Sequence, residues 1–222
     1  MILAIDTATR WLGLALHDGT VVLAEHGWRA LQTQTIELTP AIGEMMMREG
    51  ITAVDLKGIA VAIGPGSYTG LRVGLAVAKG LSLANHTPLI GVSTLDVVAA
   101  AIGPYDAQLL VVAEAGRSRV CAALYQWHNR HGWQLFGDDP VIVAWPELLT
   151  QLNRPTVVAG EITAEAAKLI RKAGHQVVPA AATVRRAGYL AEIGWQRLRK
   201  NKIDSASTLA PIYLRNPDGS KP

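Results

Sequence analysis

Between Gly58 and Leu83 the chain reads GIAVAIGPGSYTGLRVGLAVAKGLSL. The β-branched run Ile59–Ile63 has the length and composition of a buried strand. It stops at a glycine-proline loop, which opens onto an apolar helix whose only charges are Arg72 and Lys79. A buried strand, a tight turn and a helix N-terminus in succession predict an α/β fold, and oxyanions often sit at such a turn. The familiar phosphate fingerprints are nevertheless missing. No Lys-Ser/Thr pair follows the loop, and Gly64, Gly66 and Gly70 run GxGxxxG where a dinucleotide-binding turn has GxGxxG.

The flanking sequence extends the pattern. Ile2–Ile5, Leu12–His17 and Val21–His26 read as three strands, with Asp18-Gly19 as a hairpin turn between the last two. Leu38, Ala41, Ile42, Met45 and Met46 recur at helical spacing, and Gly50 marks the stop. Pro40 either kinks this helix or opens it with Thr39 as cap. Leu89–Val92 adds a strand and a helix starts near Thr94, so the order is β-β-β-α-β-α-β-α. After Gly103-Pro104 the pattern begins again with strands at Leu109–Ala113, Val120–Trp127 and Trp133–Phe136. Helices over Pro146–Leu152, Ala164–Ala173 and Ala187–Arg199 then alternate with short strands at Thr156–Ala159 and Gln176–Val178. Two halves that each open with three strands predict a duplicated α/β unit divided into lobes 1–104 and 105–222. The tail from Asn216 is read as loose.

Composition narrows the function classes. Hydrophobic residues make up 50% of 222, enough for real cores. Net charge is +3, so bulk charge alone does not point to nucleic acid. Nine Lys/Arg between Lys168 and Lys202 accompany one acid, Glu192; such a basic face can attract phosphate backbones, but a solvated helix face is at least as good a reading. Cys121 is the single cysteine, which rules out an internal disulfide. Asp6 and Arg10 stand too near Met1 for a signal-peptide core, and no stretch reads as a membrane span. A cytoplasmic protein without membrane contact is the expectation.

Asp6-Thr7 follows the first strand, where an Asp can hold Mg²⁺ through water and hydroxyls can touch phosphate; a turn-capping role is the alternative. Gly64, Gly66, Ser67, Thr69 and Gly70 are likewise either an oxyanion loop or the capping and turn residues of the following helix. Scattered histidines, including the HNRH hairpin at His128–His131, give no metal site, and no GxSxG elbow occurs. Glu114 is a base candidate or an ion-pair partner of Arg117 or Arg119. On the central helix Gly70, Gly74 and Ala78 form one small-residue stripe and Ala76, Gly80 and Ala84 another. Together with Met45, Met46 and Met47, which span too wide an arc for one core face, these stripes favour a helix–helix interface.

ILAIDTATRWLGLAL at the start, AIGPGSYTGLRVGLAVAKGL, AGRSRVCAALY and PIYLR (Pro211–Arg215) occur in this order and closely resemble the bacterial TsaB (YeaZ) family over nearly the whole chain. The resemblance implies a two-lobed actin-like (ASKHA, RNase H-like) fold, each lobe a mixed sheet flanked by helices. It also implies a role in making threonylcarbamoyladenosine, beside the anticodon of tRNA. In that family the chemistry belongs to a paralogue, TsaD, whose HxxxH metal ligands fall at Thr94 and Val98 here. The implied role is therefore a non-catalytic subunit with no cofactor, metal or catalytic residue. Its partners would be a TsaD-type catalytic paralogue and a TsaE-type ATPase, with a homodimer when alone and tRNA touched indirectly or weakly. The alternative is an ATP-binding or ATP-hydrolysing actin-like enzyme using Asp6, Thr7 and the Gly64–Gly70 loop. The resemblance places the partner contact on the first two long helices, with Leu38, Ile42, Met45, Met46, Leu71, Arg72, Gly74, Leu75 and Ala78 as its expected face. Gln32-Thr33-Gln34-Thr35 and Glu114-Ala115-Gly116-Arg117 depart from the commoner family pattern.

Overall fold

The computed structural model describes residues 1–30, 33–116, 118–137 and 139–213. Gln32, Arg117, the Leu214-Arg215 end of the PIYLR string and the tail from Asn216 lie outside the described residues. The chain opens with a meander of β1 (Ile2–Asp6), β2 (Trp11–His17) and β3 (Val22–Arg29), then α1 (Gln34–Arg48), β4 (Gly58–Gly64), α2 (Tyr68–Asn85) and β5 (Leu89–Ser93). The sheet order is β3-β2-β1-β4-β5, with β1 parallel to β4 and β4 to β5. Helical crossovers are what join such parallel neighbours.

All five residues of β1 are buried because both faces of the sheet are covered. Alternation sorts them. Leu3 and Ile5 share a core with Leu38, Ile42, Met45 and Met46 of α1 and Leu75 and Ala78 of α2. Ile2 and Ala4 share the opposite core with Ala60, Ala62 and a helix from far along the chain, α6 (Ala187–Arg199).

After α3 (Thr94–Ala100), a second sheet follows from β6 (Gln108–Glu114), β7 (Arg119–His128), β8 (Gly132–Leu135), β9 (Val141–Ala144), β10 (Thr156–Gly160) and β11 (Gln176–Val177). Helices α4 (Trp145–Gln151) and α5 (Ala164–Lys172) accompany it. Its order, β11-β10-β6-β7-β8, again places an antiparallel meander beside two parallel strands, as the duplicated reading predicts. β9 is an addition. It shares the outer edge of β7 with β8, pairing Arg119–Ala122 while β8 pairs Tyr125–His128.

The compact units do not follow a cut at 104/105. One comprises Met1–Val97 and Arg185–Ile212, the other Val98–Val184. The reason lies in α6, whose small face (Ala187, Ala191, Gly194) matches the alanines on the first sheet's open side. Polar ties reinforce the fit: His17 Nε2 lies 3.0 Å from Glu192, Gly188 N donates to Glu25 Oε1 at 2.9 Å, and Arg197 Nη1 donates to Gly91 O at 2.6 Å. Pro40 falls inside α1, whose first turn starts six residues earlier at Gln34. No helix among the described residues is long and apolar enough to cross a membrane.

Candidate functional site

The structure corrects the expected partner face. Leu38, Ile42, Met45, Met46, Leu71, Gly74, Leu75 and Ala78 are all buried within their own unit, and of the nine residues only Arg72 is exposed. The cause is periodicity: the large apolar residues of α1 and α2 recur on the arc that rests on the sheet. Met45 and Met46 turn inward, whereas Met47 is 73% exposed.

What these helices present outward is a different set. On α1, Ile36 (69% exposed), Pro40, Gly43 and Met47 follow one another at steps of four, three and four. On α2, Arg72, Ala76, Gly80 and Leu83 (66% exposed) step by four, four and three. Such steps trace a narrow seam along a helix. A Cβ added at Gly43 or Gly80 would meet nothing within 4 Å, so packing within the chain does not require either glycine. Arg72 lies over the Tyr68 ring, 3.9 Å from its centroid, which lays the guanidinium along the surface. At the start of α1, Trp28 Nε1 donates to Glu37 Oε2 at 2.8 Å. This bond holds the Glu37 carboxyl below the usual range and ties α1 to β3.

The loop candidates come together, but as a closed joint. Ser67 N donates to Ala8 O at 2.6 Å and Thr7 Oγ1 to Gly70 O at 2.7 Å. A Cβ at Gly66 would overlap Ala8 O, at Gly70 Thr7 O and at Gly74 Thr7 Oγ1. Gly66 and Gly70 are therefore needed for backbone to meet backbone, and Gly74 for the Thr7 side chain to reach the helix. Ser67 caps α2 by accepting from Gly70 N at 3.2 Å, and Thr69 is exposed in the helix's first turn. Gly64 ends β4 at φ +111, a region that favours glycine.

Asp6 is spoken for. Its Oδ1 accepts from Ala8 N at 2.9 Å and its Oδ2 from Arg185 Nε at 2.8 Å, while Arg185 Nη2 donates to Thr9 Oγ1 at 2.7 Å. Asp6 and Arg185 are both buried. Each oxygen of the carboxylate thus already accepts a hydrogen bond within the chain. No sequence signal pointed to Arg185, since its partner is 179 residues away.

The remaining candidates are dispersed. Thr94 and Val98 are buried on α3, and among the described residues no three His, Cys, Asp or Glu gather as a metal site. Of the Lys168–Lys202 cations, Lys168, Arg171 and Lys172 lie on α5 and the rest on or beside α6, in a different compact unit, where Arg185, Arg186 and Arg197 are paired. They are not one helix face.

Residues 30–144 match the family model described as TsaD: tRNA N6-adenosine threonylcarbamoyltransferase. A protein of Escherichia coli (strain K12) named tRNA threonylcarbamoyladenosine biosynthesis protein TsaB is 31% identical over 229 residues, covering 97% of this chain and 94% of its own. The TsaB of Bacillus subtilis (strain 168) is 35% identical over 163 residues, 73% of this chain and 71% of its own. Among solved structures, YeaZ from Pseudomonas aeruginosa superposes with a TM-score of 0.79 at 22% identity, covering 96% of this chain and 99% of that one.

Proposed function

The chain belongs to the TsaB (YeaZ) family, and on that premise we propose that it serves the formation of threonylcarbamoyladenosine in tRNA as a non-catalytic subunit. It lends the outward seams of α1 and α2 to a TsaD-type catalytic paralogue. The observation that carries this reading is the pair of exposed seams, Ile36-Pro40-Gly43-Met47 and Arg72-Ala76-Gly80-Leu83. Small residues at Gly43, Ala76 and Gly80 let a second helix pair approach closely, while Ile36, Met47 and Leu83 supply apolar area for it to cover. A paralogue sharing this fold presents corresponding helices, so four helices close into a bundle. In the paralogue's absence a second copy of this chain offers the same surface, giving a homodimer. The TsaE-type ATPase joins the assembled pair, and tRNA is bound chiefly through the other subunits.

The competing reading, an ATP-dependent enzyme, needs Asp6 free to approach Mg²⁺ and a loop open to phosphate. The Asp6–Arg185 pair and the joint between Ala8 and Ser67 argue against both. Two measurements test the reading. Met47→Asp and Gly80→Arg, both at exposed positions, are expected to weaken the complex with the paralogue by about 30-fold or more each, the scale of an interface hot spot, while each variant still unfolds cooperatively. Undiminished co-elution by both variants sinks the proposal. Calorimetric titration of the chain alone with Mg-ATP is expected to give no heat of binding; saturable micromolar binding favours the enzyme.

A further inference from the structure

The first sheet treats its two edges differently. At β5 a later segment of the chain closes the edge: Asp204 N donates to Leu89 O and Gly91 N donates to Asp204 Oδ2, both at 2.8 Å. At the other end of the sheet order stands β3, eight residues long, bonded to β2 on one side and to no strand of the described residues on the other. Backbone donors and acceptors along such an edge form a template for one more strand, which proteins usually blunt with lysine, proline or a cover. Val22–Arg29 holds neither lysine nor proline. At its start Val21, Val22 and Leu23 are large apolar residues exposed in succession.

A groove of about 370 Å³ runs beside this edge, between β3 and the C-terminal part of α1. Ala24, Glu25 and His26 line it from the strand, and Glu44, Arg48 and Glu49 from the helix. Alternation along β3 divides what an added strand meets. Ala24 and Trp28 pack on the α1 side, and His26 between them lies 4.8 Å from the Trp28 ring centroid. Glu25 turns the other way, to α6, where it accepts from Gly188 N and pairs with Arg186. Glu44 pairs with Arg48 at 2.6 Å, so among the described residues the helix wall keeps Glu49 and the negative end of α1 for an incoming charge. That charge is positive.

We propose that β3 accepts one more strand, an extended segment of a partner protein in which Lys or Arg alternates with β-branched residues. Backbone hydrogen bonds along the free edge hold it, its cations lie in the groove toward Glu49, and its β-branched side chains cover the apolar start of β3. The test needs only this chain and a peptide, so it stands apart from that of the subunit reading. The probe is a capped, fluorescein-labelled Val-Lys-Val-Lys-Val-Lys-Val peptide, titrated with the full chain by anisotropy. Beside it run two copies, one N-methylated at the valines and one at the lysines, and a scrambled Lys-Lys-Lys-Val-Val-Val-Val. Saturable binding is expected, weakened about tenfold in at least one N-methylated copy, in the scrambled peptide and by Glu49→Lys. In the wild-type chain bound peptide is expected to slow hydrogen exchange at alternate amides of Val22–Arg29, a readout that needs no variant. Absence of saturable binding below about 1 mM, or binding that leaves those amides exchanging as before, overturns the proposal. So does full binding by both N-methylated copies, by the scrambled peptide or by Glu49→Lys, which would mark charge attraction without strand addition. Slowing that grows with chain concentration in the absence of peptide also overturns it, by giving the edge to a second copy.

Discussion

Gly74 and Gly80 lie on the same helix and are held to opposite requirements. A side chain at Gly74 runs into Thr7 Oγ1, the atom that donates to Gly70 O, whereas at Gly80 it meets open space. Gly74→Ala is expected to destabilise the chain by about 2–3 kcal/mol, the scale of an overpacked core. Gly80→Ala removes a helix-weakening residue and should stabilise by about 1 kcal/mol, yet weaken docking of the paralogue because a methyl now fills the approach. Unfolding curves together with a binding titration read these opposite signs, and a Gly80→Ala variant that binds as tightly as wild type would count against close helix approach. Cys121 gives a pH-dependent case. Burial pushes its thiol up from an ordinary 9.0 to about 12. Between those values the unfolded chain ionises and the folded one does not. Its contribution to stability is therefore intact below pH 9 and falls as pH rises toward 12, by up to about 1.4 kcal/mol per pH unit. Cys121→Ala should remove that part of the alkaline decline, measured as the difference between the two proteins' denaturant midpoints from pH 8 to 11.

At the scale of elements, α2 shows how much a sequence discloses about a surface. Its two small-residue stripes are evident from spacing alone, but spacing does not say which stripe rests on the sheet. Gly70, Gly74 and Ala78 go inward because Leu71 and Leu75 flank them, and Ala76 and Gly80 go outward in line with Arg72. The charge carried the clue; the methionine run obscured it, because only Met47 of the three turns out. β9 escaped notice for a different reason: its four residues VIVA run directly into Trp145, leaving no turn to mark a strand. The link between α6 and the β1–β2 turn could not be read at all, since nothing local to Arg185 announces Asp6. That link is testable. Arg185→Gln leaves a buried carboxylate with one fewer partner and is expected to cost about 3–5 kcal/mol. Adding Asp6→Asn should restore a substantial part, because the desolvated charge is gone. If the double variant is no more stable than Arg185→Gln alone, the pair is not the anchor of α6 described here.

For the whole molecule, the duplicated two-sheet plan was legible because each half repeats its own punctuation: three strands, a glycine-ended parallel strand, a capped helix. The allotment of α6 was not, because an amphipathic helix reveals that it has an apolar face without revealing which sheet it covers. Only the match of Ala187, Ala191 and Gly194 to Ala4, Ala60 and Ala62 settles that, and it is a property of two surfaces together. The consequence concerns folding autonomy. A fragment of residues 1–104 keeps every strand of the first sheet but leaves Ile2, Ala4, Ala15, Ala60, Ala62, Ile90 and Val92 uncovered on one face. An apolar sheet face left open to water favours association or loose packing over a unique fold. That fragment should bind a hydrophobic dye and give a poorly dispersed amide spectrum. Supplying a peptide of residues 185–212 in trans should abolish dye binding and sharpen the spectrum, since it restores α6 together with Arg185 for Asp6 and Arg186 for Glu25. A fragment 1–104 that folds cooperatively without the peptide would show that α6 is a decoration of the first unit and not the second half of its core.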